Sequence, residues 1–143
     1  MTIQVLKTVT KREIDNLVRL MTQLRRATEK QRSTLAEVRA ILGSKNVKML
    51  VIKEKGHIVG VGTLYIIQKV GRREAHVDDV VVDSAYRGRG LGTKLMRALI
   101  QEARRYKVRS VDLTSSPERK AANKLYLKIG FKLRKTNPYT LRL

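Results

Sequence analysis

The chain contains no cysteine, and only two of its 143 residues are histidine. The absence of cysteine excludes disulfides, thiolate metal sites and a cysteine nucleophile. Two imidazoles, His57 and His76, are too few for a typical zinc site, so we expect no metal. No apolar run approaches the roughly 18 residues of a membrane span, and residues 1–7 show no apolar secretory segment. We therefore expect a soluble, cytoplasmic protein with no membrane insertion.

Aromatic residues are also scarce, with five tyrosines, one phenylalanine and no tryptophan. Such a composition offers no stacking platform for the bases of a single-stranded nucleic acid. Both prolines, Pro117 and Pro138, lie late in the chain, and no low-complexity tract or linker divides it. A length of 143 residues is enough to bury a core without disulfides. We expect one domain over residues 1–143.

Acidic residues are few, and the formal net charge is +20. The first 83 residues carry 16 lysines and arginines against 9 acids, and the last 60 carry 16 against 3. A field of this size attracts polyanions such as nucleotides, nucleic acids or the ribosome, although a charged surface that serves only solubility would look the same. Four of the twelve acids cluster within ten residues, at Glu74, Asp78, Asp79 and Asp83.

The hydrophobic pattern predicts a mixed α/β sheet with helices on its faces, in the order β-α-α-β-β-β-α-β-α-β-β. Capping boxes at Thr10–Glu13 and Thr34–Glu37 predict the first two helices. Pro117 after Ser116 predicts the start of the last helix, which Gly130 ends. The third helix begins at Leu91. The predicted strands cover residues 3–8, 49–53, 58–68, 74–83, 111–114, 131–135 and 139–143.

A glycine-rich turn follows the strand predicted at 74–83. The apolar run Val80, Val81 and Val82 stops at a short polar segment, and an amphipathic helical pattern then begins. Between them lie Arg87, Gly88, Arg89, Gly90, Leu91, Gly92 and Thr93. Glycine lets the backbone approach an anion closely, and the positive end of the helix dipole faces it. The segment therefore predicts a polyphosphate site.

Three kinds of glycine loop could account for this site. A Walker A loop needs Gly-x-x-x-x-Gly-Lys-Ser/Thr, which Gly92-Thr93-Lys94 does not fit. A Rossmann loop needs Gly-x-Gly-x-x-Gly near the start of a doubly wound sheet, whereas the glycines here alternate late in the chain. The segment Arg87–Gly92 instead resembles the Arg/Gln-x-x-Gly-x-Gly/Ala motif of the GNAT superfamily of N-acetyltransferases. Asn123-x-x-Tyr126, followed by Gly130-Phe131, resembles a second feature of that family, and the element order is similar over essentially the whole chain.

The resemblance implies a GNAT-like acyl-CoA N-acyltransferase fold, with acetyl-CoA as acetyl-donor cosubstrate and no metal. In that family the strand before the turn pairs through its backbone with the pantetheine arm, a role that falls here to Val80, Val81 and Val82. The N–H groups of Arg87 to Thr93 would hold the pyrophosphate, and Asn123 would help to hold the cofactor. The three valines would be buried in an ordinary strand in any case.

Direct attack of an amine on a thioester needs a proton for the departing thiolate. The phenol of Tyr126 suits this step, because a group of pKa about 10 can protonate an alkyl thiolate of pKa about 8.5 when it is well placed. Asn123 lies on the same helical face. Spacing alone favours a core residue packed with Ala122, Leu125 and Ile129, and the glycine motif reverses this preference.

The attacking amine must also lose a proton, and the strand at 74–83 carries the candidate bases. Strand alternation places Glu74, His76, Asp78 and Val80 on one face and Asp79, Val81 and Asp83 on the other, unless a bulge inverts the order. Asp78 stands where a common form of the family carries an acid, so it is the first candidate, followed by Glu74 or His76. Each of these residues could instead be a solvated acid or base.

The resemblance leaves the acceptor open. It implies direct transfer within a ternary complex to a primary amine, either a small molecule or a protein N-terminus or lysine. In the family the first two helices help to build the acceptor pocket. Here they carry Arg25, Arg26, Lys30 and Arg32, which favour an anionic acceptor over a polyamine. A basic nucleic-acid- or ribosome-associated module that keeps the fold is the alternative function, and a homodimer is also open.

Overall fold

The computed structural model describes residues 1–25 and 33–143, together with the backbone but not the side chain of Arg25. Of the basic residues that favour an anionic acceptor, Arg26, Lys30 and Arg32 lie outside the described residues. No helix in the described part is long and apolar enough to cross a membrane.

The described chain forms one five-stranded sheet with two helices on each face. The strands are β1 (Thr2–Val5), β2 (Val47–Glu54), β3 (His57–Lys69), β4 (Arg72–Val82) and β5 (Val111–Asp112). The helices are α1 (Lys11–Arg25), α2 (Leu35–Gly43), α3 (Leu91–Arg105) and α4 (Lys120–Ile129), and a 3-10 turn covers Ser84–Tyr86. The strands follow one another across the sheet, antiparallel from β1 to β4 and parallel between β4 and β5. The predicted mixed sheet is confirmed.

Both predicted capping boxes are present. The backbone N–H of Glu13 donates to the Thr10 hydroxyl at 3.2 Å, and the Thr10 N–H donates back to the Glu13 carboxylate at 2.8 Å. Thr34 and Glu37 make the same reciprocal pair at the start of α2. These bonds satisfy N–H groups that the first helical turn leaves unpaired. The two helices therefore begin where the sequence places them.

The sheet separates two apolar layers. On one face, α1 and α2 pack on buried side chains that include Val51, Val61 and Val81. On the other face, α3 and α4 cover a second set that includes Leu64 and Val77. The strands are therefore apolar on both faces, and the functional groups have to lie at the ends and edges of the sheet.

A β-bulge interrupts the pairing of β3 with β4. The registered pairs are Val61 with Val81 and Thr63 with Asp78, so Asp79 and Val80 lie opposite the single residue Gly62. Asp79 adopts the left-handed region, with φ of +51°, as a residue in a bulge often must. Gly62 lies against α3, because a Cβ added there would come within 2.7 Å of the Leu99 side chain. The bulge on β4 therefore lies opposite a position on β3 where no side chain fits.

The two predicted C-terminal strands are absent: the structure describes all of residues 113–143, and none of them forms a strand. Apolar residues alternate there, yet Leu133, Tyr139 and Leu141 are 93%, 88% and 85% exposed. Alternation gives a strand only where a neighbouring edge can pair with it, and β5, at the rim of the sheet, contributes two residues. The prediction of strands at 131–135 and 139–143 is wrong for that reason.

The last helix also begins later than predicted. Pro117 occupies a β-turn, which the N–H of Arg119 closes by donating to the Ser116 carbonyl at 3.1 Å. Proline favours the second position of such a turn. The helix α4 consequently starts at Lys120, and Arg119 is its N-cap residue.

We expect Gly62→Ala to lower the free energy of unfolding by about 1–3 kcal/mol, because its methyl group would overlap a fully packed leucine. Gly43→Ala is the matched control, since nothing lies within 4 Å of its added Cβ and its φ is not positive. The measurement is chemical denaturation of both variants. Equal stability of Gly62→Ala and the parent chain would contradict the tight packing at the bulge.

Candidate active site

The glycine turn after β4 presents free backbone N–H groups at the start of α3. Gly88 and Gly90 have φ of +78° and +73°, values that residues with a side chain rarely adopt. Gly90 is the N-cap residue of α3 and no side chain caps this helix end. The N–H groups of the first turn therefore lack helical partners and lie at the positive end of the helix dipole.

The two arginines of the turn point in different directions. Arg87 turns back to β4, where its Nε donates to the Val82 carbonyl oxygen at 3.0 Å. The guanidinium of Arg89 stacks over the ring of Tyr86, 5.2 Å from its centroid. The carboxylate of Glu54 bonds to the Tyr86 hydroxyl and raises the pKa of that phenol. The turn is thus tied both to β4 and to β2.

Helix α1 fixes the start of the same turn. Arg19 forms an ion pair with Asp83, whose side chain is 6% exposed. Although burial opposes ionisation, bonds from the Ala85 N–H and from Arg19 hold the pKa of Asp83 below its usual value. The backbone N–H of Ser84 donates to the Gln23 side chain at 2.9 Å. These contacts hold the first residues of the turn against α1.

A cleft of about 480 Å³ opens over the turn and the end of β4; we call it the turn cleft. Most of the predicted cofactor residues line it. These are Val80, Val81, Val82, Arg87, Gly88, Gly90, Leu91, Gly92, Thr93 and Tyr126. The remaining walls come from α1, α3 and α4, including Gln23, Met96 and Leu125.

A second cleft of about 420 Å³ adjoins the first and contains both aspartates of the bulge; we call it the aspartate cleft. Its polar lining includes Asp78, Asp79, Thr114, Ser115 and Ser116. The hydroxyl oxygen of Ser115 is buried and has no hydrogen-bond partner within the described part of the chain. A buried hydroxyl without a partner is energetically costly.

The two clefts meet at residues that line both of them: Leu24, Val80, Arg119 and Tyr126. Tyr126 is 7% exposed, and its ring meets Phe131 edge-on at 6.0 Å. Burial raises the pKa of Tyr126, while the guanidinium of Arg119 works in the opposite direction. The phenol is therefore protonated at neutral pH at the junction of the two clefts.

The clefts form at this point because β4 loses its partner on one side. Among the described residues, β5 pairs with β4 only at Ala75 and His76. Beyond them, the carbonyl oxygens of Val80 and Val82 accept hydrogen bonds from Arg119 at 3.3 Å and from Arg87 at 3.0 Å. These two carbonyls belong to a strand edge that no other strand of the described residues covers.

The bulge changes which residues of β4 share a face. Val80 and Val82 pack with Val77 in the layer beneath α3, whereas Val81 packs beneath α1. The predicted alternation, with Val80 on the face of His76 and Asp78, is therefore wrong beyond Asp78. The physical reason is the extra residue at Asp79, which shifts the alternation by one position.

The candidate bases lie at different places along β4. Asp78 is exposed and lines the aspartate cleft, and its carboxylate accepts the N–H of Asp79 at 2.9 Å. Glu74 lines neither cleft; hydrogen bonds from Lys69 and Arg72 lower its pKa to about 2. His76 also lies outside both linings, opposite Tyr65 on β3. The placement favours Asp78 over Glu74 and His76.

Two predicted cofactor residues do not line the turn cleft. Arg89 lies on Tyr86, as described above. Asn123 donates from its side chain to the Ser116 carbonyl oxygen at 2.9 Å. This bond ties α4 to the loop that lines the aspartate cleft, so Asn123 holds Ser116 in position without lining the cleft itself.

Arg119 and Ser115 are cleft residues that the sequence prediction missed. A signal for Arg119 was present, because residues 119, 123 and 126 follow the i, i+4, i+7 spacing of one helical face. Nothing in the local sequence marks the hydroxyl of Ser115.

Comparisons with known proteins point to acetyltransferases. A model of the acetyltransferase (GNAT) family matches residues 14–131. A probable glucosamine 6-phosphate N-acetyltransferase from rice (Oryza sativa subsp. japonica) is 39% identical over 80 residues, which cover 54% of this chain and 46% of that protein. A glucosamine 6-phosphate N-acetyltransferase from Trypanosoma brucei brucei is 40% identical over 80 residues, covering 54% and 52%. The chain spans about half the length of these curated relatives.

Solved structures match over greater lengths. An acetyltransferase from Trypanosoma brucei has 28% identity and a TM-score of 0.81, with 99% of each chain covered. A putative acetyltransferase from Agrobacterium tumefaciens has a TM-score of 0.86 over 100% of both chains, although its 24% identity shows the fold alone. The family model spans the glycine turn, the bulged strand and Tyr126. The chain therefore belongs to the GNAT acetyltransferase family.

Proposed function

We propose that this chain is an acetyl-CoA-dependent N-acetyltransferase that passes an acetyl group directly to a primary amine in a ternary complex. The observation that carries the proposal is the meeting of two clefts at one buried phenol, Tyr126. The turn cleft would hold the donor and the aspartate cleft the acceptor. Transfer between two bound substrates needs adjoining clefts, because the amine nitrogen must lie next to the thioester carbonyl carbon that it attacks.

The residues of the turn cleft fit the acetyl donor. Coenzyme A carries a pyrophosphate, which the free N–H groups at the start of α3 would bind. Its pantetheine arm contains amides, which could donate to the Val80 and Val82 carbonyl oxygens at the uncovered edge of β4. Each of these oxygens accepts one bond from an arginine and has a second lone pair for a pantetheine N–H. The thioester would then lie at the junction of the clefts, next to Tyr126. Acetyl-CoA supplies the activated acetyl group.

The proposed chemistry places one proton transfer at Tyr126. The neutral amine attacks the thioester carbonyl carbon and forms the new C–N bond. The C–S bond then breaks, and the departing sulfur takes the phenolic proton of Tyr126. The positively charged nitrogen releases one proton, which restores the phenol directly or through solvent. Atoms and charges balance, with the acetylated amine and free thiol as products.

We propose that Asp78 draws the acceptor into the site as an ammonium ion and receives, through water, the proton that the ammonium loses before it attacks; this proton then passes to solvent. Its carboxylate is exposed within the aspartate cleft, so it can contact both solvent and a bound amine. Asp79 adds a second carboxyl group to the same cleft. In a chain with a net charge of +20, these acids provide a local site for a cation.

We propose a small primary amine with polar or anionic substituents as the acceptor. The cleft volume and the Arg119 guanidinium suit such a molecule. The names of the rice and trypanosome relatives specify glucosamine 6-phosphate; an Escherichia coli relative, 34% identical over 100 residues, is named for L-amino acids. Protein amines in an acidic or ribonucleoprotein assembly are the second acceptor class. Turnover with amino-sugar phosphates, amino acids, peptides and polyamines would separate them.

We expect acetyl-CoA to raise the melting temperature, because a ligand that binds the native state alone stabilises it. At a concentration 100-fold above Kd the stabilisation is about 2.7 kcal/mol, which corresponds to a rise of several degrees. Inorganic pyrophosphate at the same concentration controls for general anion binding to a basic protein. Absence of a shift at millimolar acetyl-CoA, or an equal shift with pyrophosphate, would contradict the donor site.

We expect Tyr126→Phe to lower kcat by about 10²- to 10⁴-fold, the usual contribution of a general acid, with little change in the KM for acetyl-CoA. The phenyl ring keeps the packing and removes only the proton donor. Tyr139→Phe, at an 88% exposed position, is the matched control. Steady-state kinetics with both substrates varied provides the test. An unchanged kcat would remove Tyr126 from the chemistry.

A further inference from the structure

Arg119 occupies the junction of the two clefts and is half-buried there. It is the N-cap residue of α4, yet no side chain caps this helix. The unpaired groups at the start of a helix are N–H donors, and a guanidinium, which has no acceptor, cannot bond to them. Its side chain instead reaches toward β4 and Tyr126.

One contact of Arg119 is with the strand edge. Its Nη2 donates to the carbonyl oxygen of Val80 at 3.3 Å. This bond spans from the start of α4 to the residue that follows the bulge, and so it fixes the guanidinium relative to the sheet. A planar group with five N–H donors can keep this bond and still offer donors to a second partner.

The second contact of Arg119 is with Tyr126. The guanidinium interacts with the phenol hydroxyl, and this contact opposes the rise in the Tyr126 pKa that burial causes. Other charged groups in the clefts are the carboxylates of Asp78 and Asp79, which line the aspartate cleft, and Arg87, which is held by the Val82 carbonyl. Arg119 is the cation that acts on Tyr126 in this arrangement.

We infer that Arg119 is the positioning residue of the transfer step: anchored on the Val80 carbonyl, it orients the Tyr126 hydroxyl toward the donor and stabilises the phenolate left when sulfur takes the proton. The inference rests on the proposed function. No proton moves to or from Arg119, because a guanidinium stays charged throughout. The negative charge that appears on the phenolate oxygen lies beside a positive charge already in place, which lowers the barrier to proton transfer.

The test compares Arg119→Gln and Arg119→Lys with Lys128→Gln, which removes one charge from the exposed far end of α4. We expect Arg119→Gln to lower kcat by about 10- to 100-fold, as loss of one charge-assisted hydrogen bond would. The alkaline limb of the kcat profile should move to higher pH, because burial then acts on the Tyr126 pKa without opposition. Arg119→Lys should keep this limb nearer its original pH, and Lys128→Gln should change neither quantity.

A double-mutant cycle separates positioning from a general structural role. In a Tyr126→Phe background, Arg119→Gln should cause little further loss of kcat, since the group that it positions is already gone. Additive losses, or an unshifted alkaline limb in Arg119→Gln, would overturn the inference while leaving the acid assignment intact. An unchanged kcat in Tyr126→Phe alone would instead remove Tyr126 from the chemistry, and absence of acetyl transfer by the parent chain would overturn the proposed function. The acetyl-CoA-induced rise in melting temperature checks that each variant is folded and binds donor.

Discussion

The β-bulge opposite Gly62 is the constraint on which the site depends. Two residues of β4, Asp79 and Val80, take the place of one, and Asp79 accepts a left-handed conformation to allow it. Leu99 of α3 fills the space next to Gly62, so a residue with a side chain would not fit at that position. The apolar layer under α3 therefore holds the bulge in place. Local strain at a functional site is stable only when the surrounding packing enforces it in this way.

The bulge gives β4 two different roles along its length. Before it, the strand is paired with β3 along its length and with β5 at Ala75 and His76. Beyond it, one edge faces the clefts, and arginine side chains occupy the carbonyls of Val80 and Val82. Asp78 and Asp79 lie at the change between these two parts and line the aspartate cleft. The strand edge, the two aspartates and the phenol of Tyr126 therefore lie close together.

Features that depend on neighbouring residues could be predicted from the sequence. The glycine turn, the two capping boxes and Tyr126 each rest on spacings of a few residues, and the structure has all of them in place. The inverted alternation of β4 depends on Gly62, a residue on another strand. The absent C-terminal strands depend on the shortness of β5. The start of α4 depends on the turn at Pro117, which moves the first helical residue three positions on, to Lys120.

A crystal structure of the chain with acetyl-CoA tests the central claim most directly. We predict that amides of the pantetheine arm bond to the uncovered edge of β4 at Val80 and Val82. We also predict that the pyrophosphate lies on the N–H groups of Arg87 to Thr93, with the thioester sulfur within hydrogen-bond distance of the Tyr126 hydroxyl. A donor bound elsewhere, or one that leaves the β4 edge and Tyr126 without contact, would contradict it.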